Sequence, residues 1–296
     1  MRNFIVLFLD MKFDEQNIFQ QKISLRNKER LLLMENPVIM GILNIAPDSF
    51  YDGGKYGAIT DALKRTEQII NEGGSIIDIG AFSSRPGSRM ISIQEELNRL
   101  NPLLEEINRH FPGLFISIDT YRPEVAKRMI YEHDVFMIND ISGGNWEPGM
   151  FELIAEAQVP YVLMHSNGTP DVMQKHPSYE KLMPEIFSYF IESINKLNSL
   201  GVQDIIIDPG FGFGKNLEHN FEILSSLRDL SIFKLPVLVG LSRKSMIQKA
   251  LGIKSLMALN GTTSLNTIAL MKGAKILRVH DVKEAVECVK LVGMAG

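Results

Sequence analysis

Short unbroken apolar runs alternate along the chain with longer stretches in which apolar residues return every three or four positions. Eight runs rich in Val, Ile, Leu and Phe recur at fairly even spacing: PVIMGILNI, SIIDIGA, FISIDT, FMINDIS, YVLMHS, DIIIDPG, PVLVGLS and KILRVHDV. They are continuous, the pattern of strands covered on both faces. Between them, AITDALKRTEQIINEG, SIQEELNRLNPLLEEINRH, YEKLMPEIFSYFIESINKLNSLG and LNGTTSLNTIALMKGA have the period of amphipathic helices. Strand then helix, eight times, predicts an α/β fold of the (β/α)8 TIM-barrel type.

A doubly wound sheet shows the same alternation, and the polar residues separate the two. Nearly every run ends in one: Asn44, Asp78, Asp119, Asn139 with Asp140, His165, Asp208, Ser242, and Arg278 with His280. In a closed barrel all eight ends converge on one mouth, whereas an open sheet brings together only those at its switch point. Residues near 17–35 read as a hairpin with a turn at Arg26 to Lys28, closing the bottom of the barrel. Residues 1–16 read as a poorly ordered extension and 17–296 as one barrel domain. The loops APDSFYDGGKYG and FSSRPGSRMIS, after the first two barrel strands, have the Gly, Pro and Ser content of mobile lids.

Composition narrows the partners. A formal charge of −4 and an isoelectric point near 5.9 argue against nucleic acid or an anionic membrane surface, so any bound anion needs a local cluster of donors. The lone Cys288 excludes an internal disulfide and reads as a core residue of a reduced, cytoplasmic protein. The apolar opening from Phe4 to Leu9 is cut short by Asp10 and lacks a cleavage site, so it is not read as a signal sequence; Met11 is a second possible start.

Asp119, Asn139 and Asp208 at strand ends, with Lys244 after the seventh barrel strand, suit the edge of a flat heterocycle. The carboxylates accept from its amino and ring N–H groups, and Lys and Asn supply donors. The plainer alternative is an Asp208–Lys244 ion pair. Arg278 and His280, two residues apart on the last strand and next to Asn44 in a closed barrel, make an anion site where barrels commonly hold phosphate; the alternative there is Arg278 paired with Asp281 or another strand-end acid. Asp48 and Asp52 would repel a polyphosphate unless Mg²⁺ intervenes. DPGFGFGKN is neither a dinucleotide fingerprint nor a Walker loop, and its glycines more simply turn the backbone and bring Phe211 or Phe213 beside the pocket. For Phe213 an aromatic wall and ordinary core packing stand level. His110, His133, His176 and His219 read as surface residues, and His165 as either a ligand contact or a satisfied structural histidine. HExxH, CxxC and Gly-x-Ser-x-Gly are absent, which leaves zinc proteolysis and serine hydrolysis without support.

The signatures MGILNIAPDSFYDGG, DIGAFSSRPG, ISIDTYRPEVA, INDISGG, IIDPGFGFGKN, GLSRKS, NGTTSLN and ILRVHDV, in this order from about Pro37 onward, resemble the dihydropteroate synthase family of pterin-binding TIM barrels. That family joins 6-hydroxymethyl-7,8-dihydropterin diphosphate to 4-aminobenzoate in folate biosynthesis, releases diphosphate and is the target of sulfonamides. The resemblance implies that Asp119, Asn139, Asp208 and Lys244 hold the pterin. It further implies that Asn44, Arg278 and His280 hold the diphosphate, with Asn44 also binding Mg²⁺. Ser245, Phe213 and Pro86 would form the 4-aminobenzoate pocket, with Asp48, Ser84 and Arg85 ordering the loops. Asp119, Asp208, Lys244 and Arg278 would carry catalysis, and a homodimer is implied. The chain departs from the family pattern at Ala46 for Thr, Phe82 for Glu, Ser84 for Thr and Ser166 for Met; Phe82 and Ser84 bear on the 4-aminobenzoate pocket. Two other readings share the barrel: a folate-dependent methyltransferase domain, which would not need the SRKS and RVHDV anion set, and a pterin-binding relative without catalysis.

Overall fold

The apolar runs fold as eight parallel strands wound into a barrel, and the segment before them as a hairpin beneath it. The computed structural model describes residues 22–28, 30–45, 55–82, 91–168 and 177–295. The first loop from 46 to 54, the second from 83 to 90, and the extension at 1–16 lie outside the described residues, and so do the expectations placed on them.

Strands β1 (Ile23–Asn27) and β2 (Arg30–Met34) pair antiparallel. The barrel strands are β3 (Val38–Asn44), β4 (Ile76–Gly80), β5 (Phe115–Asp119), β6 (Met137–Asp140), β7 (Tyr161–Met164), β8 (Ile205–Asp208), β9 (Leu238–Val239) and β10 (Ile276–Val279). They pair in the order β8-β7-β6-β5-β4-β3-β10-β9, and a parallel bridge between Ile207 and Val237 joins the two ends. This closure selects the barrel over the doubly wound sheet, which has two free edges. Helices α1 (Lys55–Asn71), α2 (Ile93–His110), α3 (Pro123–Glu132), α4 (Met150–Ala157), α5 (Leu182–Ser199), α6 (Leu217–Ser225), α7 (Ser245–Leu251), α8 (Leu259–Met271) and α9 (Val282–Ala295) follow the strands around the outside. Ser92 starts α2 by accepting the Glu95 N–H, and Asn216 starts α6 through a capping box with His219.

Alternation along each strand determines what faces the lumen. Met40, Ile76, Met137, Val162, Ile206, Leu238 and Ile276 form one buried cluster with Leu25, Leu32 and Met34 of the hairpin, so the hairpin plugs the bottom as expected. Its turn comes later than expected, with β1 running to Asn27. That buried amide donates to the carbonyls of Val135 and Phe136 at 2.8 and 3.2 Å, which holds the residue in the strand. Two residues further along each strand, the same alternation points Asp78, Ser117, Asn139, Asp208 and Arg278 inward, and the lumen changes from apolar to charged.

Candidate active site

Four inward residues from four strands interlock below the mouth. Asp78 on β4 is fully buried, and its Oδ2 accepts from Asn139 Nδ2 at 3.0 Å and from Arg278 Nε at 2.6 Å. Arg278 Nη2 donates to Asp119 Oδ2 at 2.7 Å. Asp78 Oδ1 and Asp119 Oδ1 are buried without a protein partner among the described residues. Arg278 is therefore paired with strand-end acids, while Asp281 takes Arg243 at 2.6 and 2.9 Å instead. Asn139, expected as a donor to a ring, has its amide NH₂ turned onto Asp78.

Burial pushes the Asp119 carboxyl up to about 7; Arg278 opposes this, and Asp78 adds to it by like-charge repulsion. For Arg278 burial works against the charge, but Asp78 and Asp119 more than offset it and hold the guanidinium above its ordinary value. A carboxyl raised above its unfolded value favours the protonated form of the fold. Its contribution to stability is complete below about pH 4 and is lost as pH rises through about 7. The melting temperature should accordingly decline between pH 4 and 7, and Asp119→Asn should flatten that slope in a calorimetric pH series.

On the opposite wall, Asp208 Oδ1 accepts the Gly210 N–H at 2.7 Å. Burial raises its pKa, opposed by that bond and by Lys244, Lys215 and Arg278. No ion pair joins it to Lys244, whose Nζ lies 4.2 Å from the centroid of the Phe213 ring. Burial first, and Arg278 second, lower Lys244 to about 8. Phe213 is thus a wall beside Lys244, while Phe211 belongs to the core. The loop that places them requires glycine: Gly210 has φ +70°, and a Cβ there would lie 2.0 Å from the His165 carbonyl oxygen.

Lys215 ends this loop, nearly fully buried, and sequence reasoning assigned it nothing beyond a failed Walker match. Its Nζ contacts His165 Nδ1 at 3.0 Å and donates to the His165 and Phe213 carbonyls at 3.2 and 2.9 Å. His165 is buried with Nδ1 against Lys215, the satisfied structural histidine; burial lowers Lys215 to about 7, and burial with Lys215 lowers His165 to about 2.

The rim carries the remaining candidates. Asn44 is exposed at the end of β3; a Cβ on Gly80 would meet its Oδ1 at 3.3 Å and Asp119 Oδ2 at 3.6 Å, so glycine leaves these two side by side. His280 Nδ1 lies 3.1 Å from Ser242 Oγ, and Arg65 donates to the His280 carbonyl at 2.5 Å. Ser245 is exposed at the start of α7. Phe82, at the root of the second loop, packs edge-on against Tyr121, which packs against Trp146, at 5.4 and 5.0 Å between centroids. Asp48, Ser84, Arg85 and Pro86 lie outside the described residues. His133 corrects an expectation: it is buried, its Nε2 3.0 Å from Asn101 Oδ1, because the C-terminal end of α3 packs toward α2.

Among the described residues no three His, Cys, Asp or Glu side chains are grouped to hold a metal ion. The exposed Asn44 amide oxygen is a hard neutral donor, suited to Mg²⁺ as one ligand among water and phosphate oxygens.

A closed barrel whose mouth gathers carboxylates, an amide, a lysine and an arginine has the architecture of an enzyme active site. The family model "Pterin binding enzyme" matches residues 40–280. Dihydropteroate synthase of Escherichia coli K12 is 44% identical over 261 residues, 88% of this chain and 92% of that one. Yersinia pestis dihydropteroate synthase, solved with a sulfonamide drug complex, superposes with a TM-score of 0.85 at 39% identity, covering 92% of this chain and 99% of that one. The Xanthomonas albilineans enzyme, solved with 4-aminobenzoic acid, gives 0.84 at 33% identity, covering 93% and 98%. The chain belongs to the dihydropteroate synthase family of pterin-binding enzymes, transferases of folate biosynthesis.

Proposed function

We propose that this mouth condenses 6-hydroxymethyl-7,8-dihydropterin diphosphate with 4-aminobenzoate to 7,8-dihydropteroate and diphosphate. The observation that carries the reading is the gathering of Asp119, Asn139, Asp208 and Lys244 around one lumen, with Arg278 bonded to Asp119 and Asp78. The first four hold the pterin, with Asp208 and Asp119 accepting its N–H groups. Arg278, His280 and Asn44 face the diphosphate. Ser245 and Phe213, with Ser84, Arg85 and Pro86, face 4-aminobenzoate, and Asp48 orders the first loop. Asn44 holds Mg²⁺, which when bound supplies charge neutralisation to the diphosphate.

The C–O bond to diphosphate breaks first, its electron pair leaving with the diphosphate, because the conjugated pterin spreads the positive charge that remains. Arg278 and His280 stabilise the departing anion, and Asp208 stabilises the cationic ring. The neutral aromatic amine then attacks the exocyclic carbon and loses a proton, without needing a strong base. The Phe213 ring helps to exclude water from the cation.

The test is diphosphate release with Mg²⁺ and the pterin diphosphate, with and without 4-aminobenzoate. Release coupled to dihydropteroate supports the reading. Tight pterin binding without an aminobenzoate-dependent product refutes it in favour of a binding relative.

The protein works as a homodimer in the cytoplasm. Support for the dimer comes from exposed apolar side chains on neighbouring outer helices and their connections: Leu256, Met257, Met271, Leu291 and Met294. Light scattering should then give about twice the 33.3 kDa of the chain. Among the described residues no helix is long and apolar enough to cross a membrane.

A further inference from the structure

We propose that Asp78 is a positioning residue: the sealed pivot of Arg278, through which the pterin and diphosphate halves of the mouth are coupled. The inference rests on the reading of the site given above and adds a residue that neither half requires for contact.

Three observations carry it. The Asp78 side chain has 0% exposure, whereas those of Asp119 and Arg278 have 14% and 19%, so only the latter two open toward a ligand. Asp78 Oδ2 takes one donor from each half, Asn139 Nδ2 and Arg278 Nε. Arg278 Nη2 occupies Asp119 Oδ2, an oxygen of the carboxylate that the pterin N–H groups require.

These facts assign different duties to the two ends of the guanidinium. The Nε bond to Asp78 is buried and charge-assisted, and it fixes the end of the side-chain stem. The Nη2 bond to Asp119 is the one a ligand N–H can replace. When a pterin takes Asp119, the guanidinium keeps its hold on Asp78 and its released Nη2 becomes a donor for the anion at the rim. Occupation of the pterin half then raises the affinity of the anion half, and by linkage the reverse. The same Asp78 oxygen orients the Asn139 amide, so losing the carboxylate disturbs both halves, the anion half more.

Asp78→Asn keeps the shape and removes the charge. In the full chain, the Arg278 Nε–H followed by ¹⁵N NMR needs no ligand; it should be protected and shifted in the native protein and lose both properties in the variant. Calorimetry with Mg²⁺ should show 6-hydroxymethyl-7,8-dihydropterin weakened by less than about tenfold, and its diphosphate ester by about a further 10- to 100-fold. Arg278→Lys has no Nε–H and should reproduce the ester-specific loss. The double variant should then be no weaker than the weaker single variant. An unchanged Nε–H signal, equal losses for alcohol and ester, or additive losses in the double variant would overturn the pivot. If circular dichroism shows that Asp78→Asn does not fold, the Arg278 Nε–H of the native chain decides during titration with 6-hydroxymethyl-7,8-dihydropterin: retained protection and shift support the pivot, and their loss overturns it. Absence of pterin binding by the native chain would refute the proposed function instead, while the Nε–H comparison would still decide whether Asp78 holds Arg278.

Discussion

Replacing Arg278 by alanine should abolish turnover and weaken the fold at the same time. The guanidinium is the cation shared by Asp78 and Asp119, at 2.6 and 2.7 Å, and its removal leaves two buried carboxylates facing each other. Breaking a buried ion pair from one side costs about 3–5 kcal/mol, because the remaining charge loses its partner and has no water. Asp119, already raised to about 7, takes up a proton more readily once the cation is gone. The loss of stability should therefore be smaller at pH 5 than at pH 8, a difference measurable by urea unfolding at both. Under the proposed function, catalysis loses the group that meets the growing negative charge on the leaving diphosphate, and a fall in kcat of roughly a thousandfold is expected for one such donor. Binding of the pterin alcohol should persist, since Asp119, Asn139, Asp208 and Lys244 remain. A variant that retains turnover within tenfold would remove Arg278 from the anion site.

Lys244→Ala should behave in the opposite way, losing ligand and keeping the fold. Burial and the nearby Arg278 lower Lys244 to about 8, so the folded protein holds this cation at a cost and gains nothing from a direct ion pair. Its Nζ faces the Phe213 ring, and a Cβ on Gly212 would sit 3.4 Å from Lys244 Cδ. Under the proposed function, removing it takes away the charged donor for the ring keto oxygen. Pterin affinity should fall about 100-fold, near 2.7 kcal/mol, in the range of a lost hydrogen bond to a charged group. The melting temperature at pH 7 should stay level or rise, as when a site residue held for function is removed. Calorimetric binding within threefold of the native protein would exclude Lys244 from the pterin site, and a large drop in melting temperature would recast it as a structural residue.

The two variants separate residues that the linear pattern treats alike. Asp78, Asp119, Asn139, Asp208 and Arg278 all stand at or near the ends of apolar runs, and alternation places each on the lumen side. That much is legible because strand period and strand-end polarity are local properties. Asp78 received no role from the sequence, although its place in IIDIG marks it as inward. Nothing local indicates that its partners are Asn139, 61 positions away, and Arg278, 200 positions away. The role of Lys215 is not legible in the sequence for a related reason. GFGK lacks phosphate-loop spacing, and the acceptors of Lys215 include His165, 50 residues earlier and next to it only because β7 pairs with β8. His133 reads as a surface residue because a histidine at a helix end looks solvated until the packing of α3 and α2 brings Asn101 to it.

By itself the sequence determined the alternation of buried strands and amphipathic helices, the hairpin, the mouth and the residue types gathered there. Each follows from hydrophobic period and the polarity of strand ends, which operate over a few residues at a time. Tertiary structure alone decided which of those residues touch: that Arg278 lies between Asp78 and Asp119 and leaves Asp281 to Arg243, and that Lys244 faces Phe213 without an ion pair to Asp208. The reason is physical. Barrel closure sets β10 against β3, which pairs with β4 as β4 pairs with β5, so the reach of a guanidinium across those strands depends on register and curvature that no short stretch of chain contains.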